Sequence, residues 1–284
     1  MIEGDAGTSD EAPELAPSWP PETWLSPTKL KGYTNCPYRV RLQYVDKLPY
    51  EQPFSLFLTQ GNIAHNLLAE AARFIRGGQQ LRTRDDMFER AIRRMPPEEF
   101  PSAEALVAGV EQILRWVDYG ISYIDRTAKF LNIEGKGRRG IPWQPEGTRL
   151  TISTRPDLIL LRTDADGERF VEIIDYKTGA KWVDDLPPIV MRYVFKELFQ
   201  RLAEDTLSLR MQFTYVYLEH RDTEVIELSP EYCLTAWEHV TGTIGRLMAE
   251  REWPAQPSHL CNYCPYYRAP CTAPDEMEND KEPF

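Results

Sequence analysis

The sequence predicts an α/β protein, with a mixed central sheet flanked by helices. Three observations predict it. Residues 158–161 (Leu-Ile-Leu-Leu) and 171–175 (Val-Glu-Ile-Ile-Asp) are short β-branched and aliphatic runs of strand composition. Longer stretches starting at Gly61 and at residue 103 carry apolar residues at helical spacing, the signature of helices with one buried face. Finally, 284 residues with 42% hydrophobic content are enough for one domain of generous size or a core with a helical addition.

The net charge of −11 is concentrated at the ends. Residues 1–26 carry six acidic and no basic side chains, and residues 275–284 carry five acidic side chains against Lys281. The body is therefore near neutral, which argues against strong non-specific nucleic-acid binding and leaves room for a local basic groove. No apolar run reaches the length of a membrane span, and the acidic N-terminus has no secretory pattern, so a cytoplasmic protein without membrane contact is expected. In that compartment five cysteines point to metal or redox chemistry before disulfides. A Gly-x-x-x-x-Gly-Lys-[Ser/Thr] phosphate loop is absent, so no helicase motor is encoded.

In order, residues 1–25 are rich in Pro, Glu and Ala and read as a flexible or loosely docked arm. Ser26 is a good N-cap and Pro27 a good first residue for a helix running to Asn35, and residues 38–45 continue at helical spacing. A long helix opens at Gly61, with Ile63, Leu67, Ala71 and Phe74 on one stripe and His65 two residues off it. Between residues 73 and 94, seven arginines suit a solvated basic helix face or a phosphate-tracking surface. Residues 103–131 read as a further helix. The loop at 134–140, with Lys136, Arg138 and Arg139, is either a solvated connector or a grip on backbone phosphates.

Residues 148–153 read as a strand leading into the 157–161 strand, for a three-stranded start to the sheet. The polar Asp164-Ala-Asp-Gly-Glu168 has the composition of a tight turn joining antiparallel strands. Residues 190–207 read as a helix; the stretch from Gln212 through Tyr215 to Tyr217 has strand composition. A strand at 223–228 and a helix at 230–252 follow, with Cys233 a core thiol.

Alternation in a strand puts Asp175 and Lys177 on one face with Tyr176 opposite, and Asp157 begins the partner strand within reach. An isolated Asp-x-Lys pair is ordinarily a salt bridge. A neighbouring Pro-Asp adds the second carboxylate that a hard divalent cation takes, and an ammonium beside it can orient water or stabilise developing charge. Cys261-Asn-Tyr-Cys264 with Cys271 seven residues on, and Cys36 to complete four, suits a tetrahedral thiolate site for zinc or an iron–sulfur cube.

Pro156-Asp157 followed by Asp175-Tyr176-Lys177-Thr-Gly179 resembles the PD-(D/E)XK motif of restriction-endonuclease-like nucleases, in its RecB-like form. Tyr33-Thr-Asn-Cys36-Pro, Gly61-Asn-Ile-Ala-His65 and the cysteine cluster resemble further motifs of that branch, in the same order along the chain. The resemblance implies a RecB-like nuclease domain over about 26–272, with a helical insertion at about 60–145, a core at about 146–230, a cluster segment at about 253–272 and an acidic tail at 273–284.

It also implies a DNA exonuclease acting on single strands or ends. Its Mg²⁺ or Mn²⁺ would be held by His65, Asp157, Asp175 and the Tyr176 carbonyl, and Lys177 would work with Asp157 and Asp175 on the attacking water. Cys36, Cys261, Cys264 and Cys271 would hold a structural [4Fe–4S] cluster, although six residues separate Cys264 from Cys271 where the family usually has five. The family's Gln-x-x-x-Tyr helix, which contacts nucleic acid, is matched imperfectly by Gln212 and Tyr215. Partners would be CRISPR adaptation proteins or a helicase subunit in recombination and repair. Two other classes remain: a nuclease-fold scaffold that binds DNA without cutting, and a zinc-stabilised nucleic-acid-binding module.

Overall fold

The computed structural model describes residues 19, 24–50, 55–134, 141–144, 151–181, 187–192 and 209–271. The expected flexible arm (apart from Trp19, Trp24 and Leu25), the cationic loop with Lys136, Arg138 and Arg139, most of the 190–207 helix and the acidic tail lie outside them.

A five-stranded mixed sheet forms the centre. Its strands are β1 (Lys129–Ile133), β4 (Leu158–Thr163), β5 (Arg169–Lys177), β6 (Arg210–Tyr217) and β7 (Asp222–Glu227), in the order β1-β4-β5-β6-β7. All neighbours are antiparallel except β5 and β6, which run parallel. The turn between β4 and β5 is built as its composition predicts. Asp164 Oδ1 accepts from the backbone N–H groups of Asp166 and Glu168, and Gly167 takes the positive φ of 84° that a side chain would resist.

Alternation along the strands gives the sheet two buried faces. One carries Leu158, Leu160, Ile174, Tyr176 and Val216 and packs on α3 (Leu56–Arg76) and α5 (Ala103–Tyr123). Burying side chains such as Leu67 and Ile113 there contributes about 1.5–3 kcal/mol each. The two helices approach closely: a Cβ at Gly120 would lie 2.5 Å from Leu68 Cδ2. The other face carries Ile159, Ile173, Phe213, Tyr215 and Tyr217, met by Met191 and by Cys233 of α6 (Pro230–Ala249). Among the described residues no helix is long and apolar enough to cross a membrane.

Two expected elements differ. The helix from residue 103 ends at Tyr123, not 131, and residues 129–133 are β1. The apolar periodicity stops at Ile121, and Asp125 closes a turn by accepting from Thr127 N–H and Oγ1–H. The strand before Pro156 does not join the main sheet. Thr154 ends β3 (Ile152–Thr154), which pairs with β2 (Ile141–Trp143) in a separate two-stranded sheet, and β1 takes the place beside β4. Pro156 has no N–H to donate and restricts Arg155, so the chain changes partners there.

The N-terminal helix α1 (Pro27–Asn35) is capped by Ser26, whose side chain accepts from Lys29 N–H, with Pro27 at its first position. Packing begins earlier than the sequence indicates. Trp19 and Leu25 are buried beside Leu30, Val240 and Trp253, and Leu25 bridges to β3 through Leu25 N–H to Thr151 O (2.9 Å) and Ser153 N–H to Leu25 O (2.8 Å). After α1 come α2 (Pro37–Val40) and a π-turn at Arg41–Val45. A further helix, α4 (Arg84–Ile92), packs on α5. The arginines of 73–94 mostly serve this helical region: Arg82 and Arg90 pair with Glu70, and Arg84 pairs with Glu111 and Asp118.

Glu172 of β5 is wholly buried between the sheet and α5, and it is fully partnered. Its carboxylate accepts from Tyr123 Oη (2.7 Å), Thr214 Oγ1 (2.7 Å), Gln212 Nε2 (3.0 Å) and the Arg162 guanidinium (2.6 Å). Removing Glu172 would leave the donors of Thr214, Gln212 and Tyr123 without their acceptor, at a combined cost of about 3–5 kcal/mol, while Arg162 keeps Asp125. Glu172→Ala is expected to lower the unfolding free energy by about that amount, measured by urea titration.

Candidate active site

The candidate site lies at one end of β4 and β5. The register pairs Leu158 with Ile174, so Asp157, one step further, arrives beside Asp175. Three contacts hold Asp157. Its Oδ2 accepts from Tyr176 N–H (2.7 Å), its Oδ1 lies 2.9 Å from His65 Nδ1, and its carbonyl accepts from Glu134 N–H (2.8 Å). One carboxylate thus joins β5, α3 and the end of β1.

His65 reaches this point because α3 runs close to the residues after β5. A Cβ at Gly61 would lie 3.0 Å from Thr178 Oγ1, which accounts for glycine at the start of Gly-x-x-x-His. One helical turn later His65 points at the strand ends, its ring edge-on to Tyr176 with centroids 6.3 Å apart.

Among the described residues, His65, Glu134 and Asp157 bring ligand atoms within 4.8 Å of one another. Glu134 was not expected from the sequence, because it follows a segment read as the end of a helix. As the residue after β1, it is delivered by the pairing of β1 with β4. The available signal was a glutamate between Phe-Leu-Asn-Ile and a glycine-rich loop. Asp175 stands outside this trio: its Oδ2 pairs with Lys177 Nζ at 2.6 Å. As alternation requires, Asp175 and Lys177 share a face while Tyr176 is buried against α3 and α5.

The site is short of positive charge for its carboxylates. Burial pushes Asp175 up to about 6; the Lys177 ammonium opposes this, and Asp157 adds to it. Burial and the charge on Asp157 also raise Glu134. For His65, burial disfavours the imidazolium, but Asp157, Asp175 and Glu134 outweigh it and lift the pKa to about 9. Three mutually repelling carboxylates and an imidazole form a donor set of oxygen and nitrogen that fits a divalent cation such as Mg²⁺ or Mn²⁺.

Tyr215 lies inside the protein, and Gln212 is half-buried. Gln212 faces α5 and donates to Glu172, while Tyr215 lies beside Asp175 in the β5–β6 register, fully buried, with Lys177 Nζ 5.5 Å from its ring centroid. Tyr215 therefore supports Lys177 from within.

The four expected cluster cysteines also converge. Cys36 lies between α1 and α2, and Cys261 and Cys264 lie at the short helix His259–Tyr263; with Cys271 they line one cavity together with Leu42 and Tyr266. Burial raises the Cys264 thiol pKa, and Cys36 and Cys261 raise it further, so those sulfurs sense one another. The segment is also tied down without them, through Tyr38 N–H to Pro254 O (3.2 Å) and Tyr266 Oη to Leu48 O (3.2 Å).

This sheet, with its Pro-Asp and Asp-x-Lys strands meeting at one end, defines a class. The family profile of the PD-(D/E)XK nuclease superfamily matches residues 24–271, and the chain belongs to that superfamily. Among solved structures it is similar to a protein from Eubacterium rectale described as a "Putative exonuclease", at 14% identity and a TM-score of 0.49, over 93% of this chain and 91% of that one. No curated protein matches.

Replacing Glu134 with Gln tests the trio directly. Losing even an outer partner of a ligand typically costs 10–100-fold in metal affinity. Glu134→Gln is expected to weaken Mn²⁺ binding at least about tenfold by isothermal titration calorimetry, with the fold retained by circular dichroism.

Proposed function

We propose that the protein is a divalent-metal-dependent deoxyribonuclease of the RecB-like branch, acting on single strands or DNA ends. The observation that carries this reading is the adjacency of the His65–Glu134–Asp157 trio and the Asp175–Lys177 pair at the end of two neighbouring strands. Membership of a nuclease superfamily supports it. The resemblance of its motifs to that branch supports a role in CRISPR spacer processing or in recombination and repair.

His65, Glu134 and Asp157 would hold the metal, with Asp175 and the Tyr176 carbonyl beside them. When bound, the metal supplies charge neutralisation at the phosphodiester and a more acidic water. The chain's own groups do the positioning. The Tyr176 N–H holds Asp157 in one orientation, so the carboxylate does not reorganise during the reaction. The Lys177 ammonium, with Tyr215 beneath it, donates to the oxygen of the attacking water, and the adjoining Asp175 carboxylate accepts a hydrogen bond from it. The new P–O bond forms to that oxygen, which gives up its proton to the Asp175 carboxylate, as the ester P–O bond on the opposite side breaks and the leaving oxygen takes a proton from solvent.

For the cysteines we favour a [4Fe–4S] cluster over zinc. What favours the cluster is the resemblance of one N-terminal and three clustered C-terminal cysteines to the RecB-like branch, together with their convergence on one cavity.

Two experiments test this. End-labelled single- and double-stranded DNA should be cut with Mg²⁺ or Mn²⁺ and spared with EDTA, and Lys177→Ala should slow cutting by at least about a hundredfold. Wild-type protein that binds Mn²⁺ but cuts neither substrate would overturn the catalytic assignment and leave a DNA-binding scaffold. Protein purified without oxygen should contain about four irons per chain and absorb visible light, and Cys261→Ala should lose both. One zinc per colourless chain would instead assign the cysteines to a zinc centre.

A further inference from the structure

A groove of about 540 Å³ opens beside the Asp175–Lys177 pair. One wall is the first turn of α1 with Ser26, Thr28 and Lys29; the other is the end of β3 with Thr154 and then Arg155. Its composition runs against that of the whole protein. The chain carries a net charge of −11, yet the described lining holds three cationic side chains (Lys29, Arg155 and Lys177) and one carboxylate, Asp175, which is already paired with Lys177. The rest of the polar lining is largely hydroxyl. Lys, Arg, Ser, Thr and a helix N-terminus are the groups that proteins turn towards phosphate oxygens.

The groove is built to hold its shape. The Leu25 bridge to Ile152 ties the start of α1 to β3. Lys29 is pinned: its Nζ donates to Trp24 O at 2.5 Å and lies 4.5 Å from the centroid of the Tyr44 ring. Arg155 directly precedes Pro156, which limits its backbone to extended conformations, and two residues on is Asp157. The Lys29 ammonium and the backbone that carries Arg155 therefore sit at fixed positions relative to the reaction centre. The volume falls within the ~300–1,000 Å³ of sites that enclose a small ligand, room for one or two nucleotides of a single strand.

We propose that this groove is the seat of the nucleotides next to the scissile phosphate of a single strand, with Arg155 and Lys29 as the positioning residues for their phosphates. A strand with its scissile phosphate at Asp175 and Lys177 then presents the neighbouring phosphates to Arg155 and Lys29. The inference rests on the nuclease reading above and adds to it the strand's path and the preference for single strands.

The test is the salt dependence of binding, measured by anisotropy of a labelled oligothymidylate with Ca²⁺ in place of the cleavage metal, together with KM and kcat for cleavage with Mn²⁺. Each phosphate contact contributes about −0.7 to the slope of log K against log salt for a single strand. Arg155→Gln and Lys29→Gln are each expected to flatten the slope by about that amount and to weaken binding roughly tenfold at low salt, with the loss in KM more than in kcat. Arg155→Lys should restore the slope, and Arg93→Gln, at an exposed arginine that caps the end of α4, should leave it as it is. Arg155 is exposed, so its variants decide the matter if Lys29→Gln unfolds. Arg155→Gln with the wild-type slope and KM, in a protein that still cuts, would overturn the path and spare the nuclease. Flattened slopes in these variants, when the wild-type protein itself never cuts, would uphold the groove and sink the nuclease. Tighter wild-type binding to a blunt hairpin duplex than to the single strand would also overturn it.

Discussion

The side chain of Asp157 is the junction on which the site depends. Each of its oxygens has a fixed partner from a different element: the Tyr176 N–H from β5 and the His65 imidazole from α3. Its carbonyl secures Glu134 at the end of β1. A buried carboxylate is tolerated only when paired and hydrogen-bonded, so the same contacts that keep Asp157 inside also set the positions of the groups around it. The close approach of Gly61 to Thr178, the β4–β5 register and the β1–β4 pairing all converge on this one group.

The two faces of the sheet divide the work. On the α3/α5 face, Glu172 and its four partners form a satisfied polar core that is structural, and Gln212 belongs to it. On the other face, Asp175 and Lys177 emerge from a floor of Tyr215 and Tyr217 towards the groove. A buried glutamate and a half-buried aspartate three residues apart on β5 thus have opposite fates because successive strand residues face opposite sides. The acidity of the chain as a whole says little about this locale, since most of the net charge sits in the terminal segments.

Local patterns were legible where short-range physics decides the outcome. The Ser26–Pro27 start of α1, the Asp164–Glu168 turn, the alternation of Asp175, Tyr176 and Lys177, and the helix from Pro230 follow from capping, turn chemistry and period-two geometry. The failures share a cause. The sequence alone presents β1 as the tail of a helix and β3 as a neighbour of β4, because strand partners are chosen by the whole sheet and not by the strand. Missing β1 meant missing Glu134.

The sequence by itself determined the class: paired carboxylates and a lysine on adjacent short strands, a glycine–histidine helix and four spaced cysteines are covalent facts of order and spacing. Only the tertiary structure decided which of these groups meet. It put Glu134 with His65 and Asp157, turned Asp175 to Lys177 and Gln212 to Glu172, drew Tyr215 into the interior, and gathered Cys36 with cysteines more than 200 residues away around one cavity. Such meetings depend on strand order and on helices docked across the sheet, contacts between residues far apart in the chain. Local propensity carries no information about them.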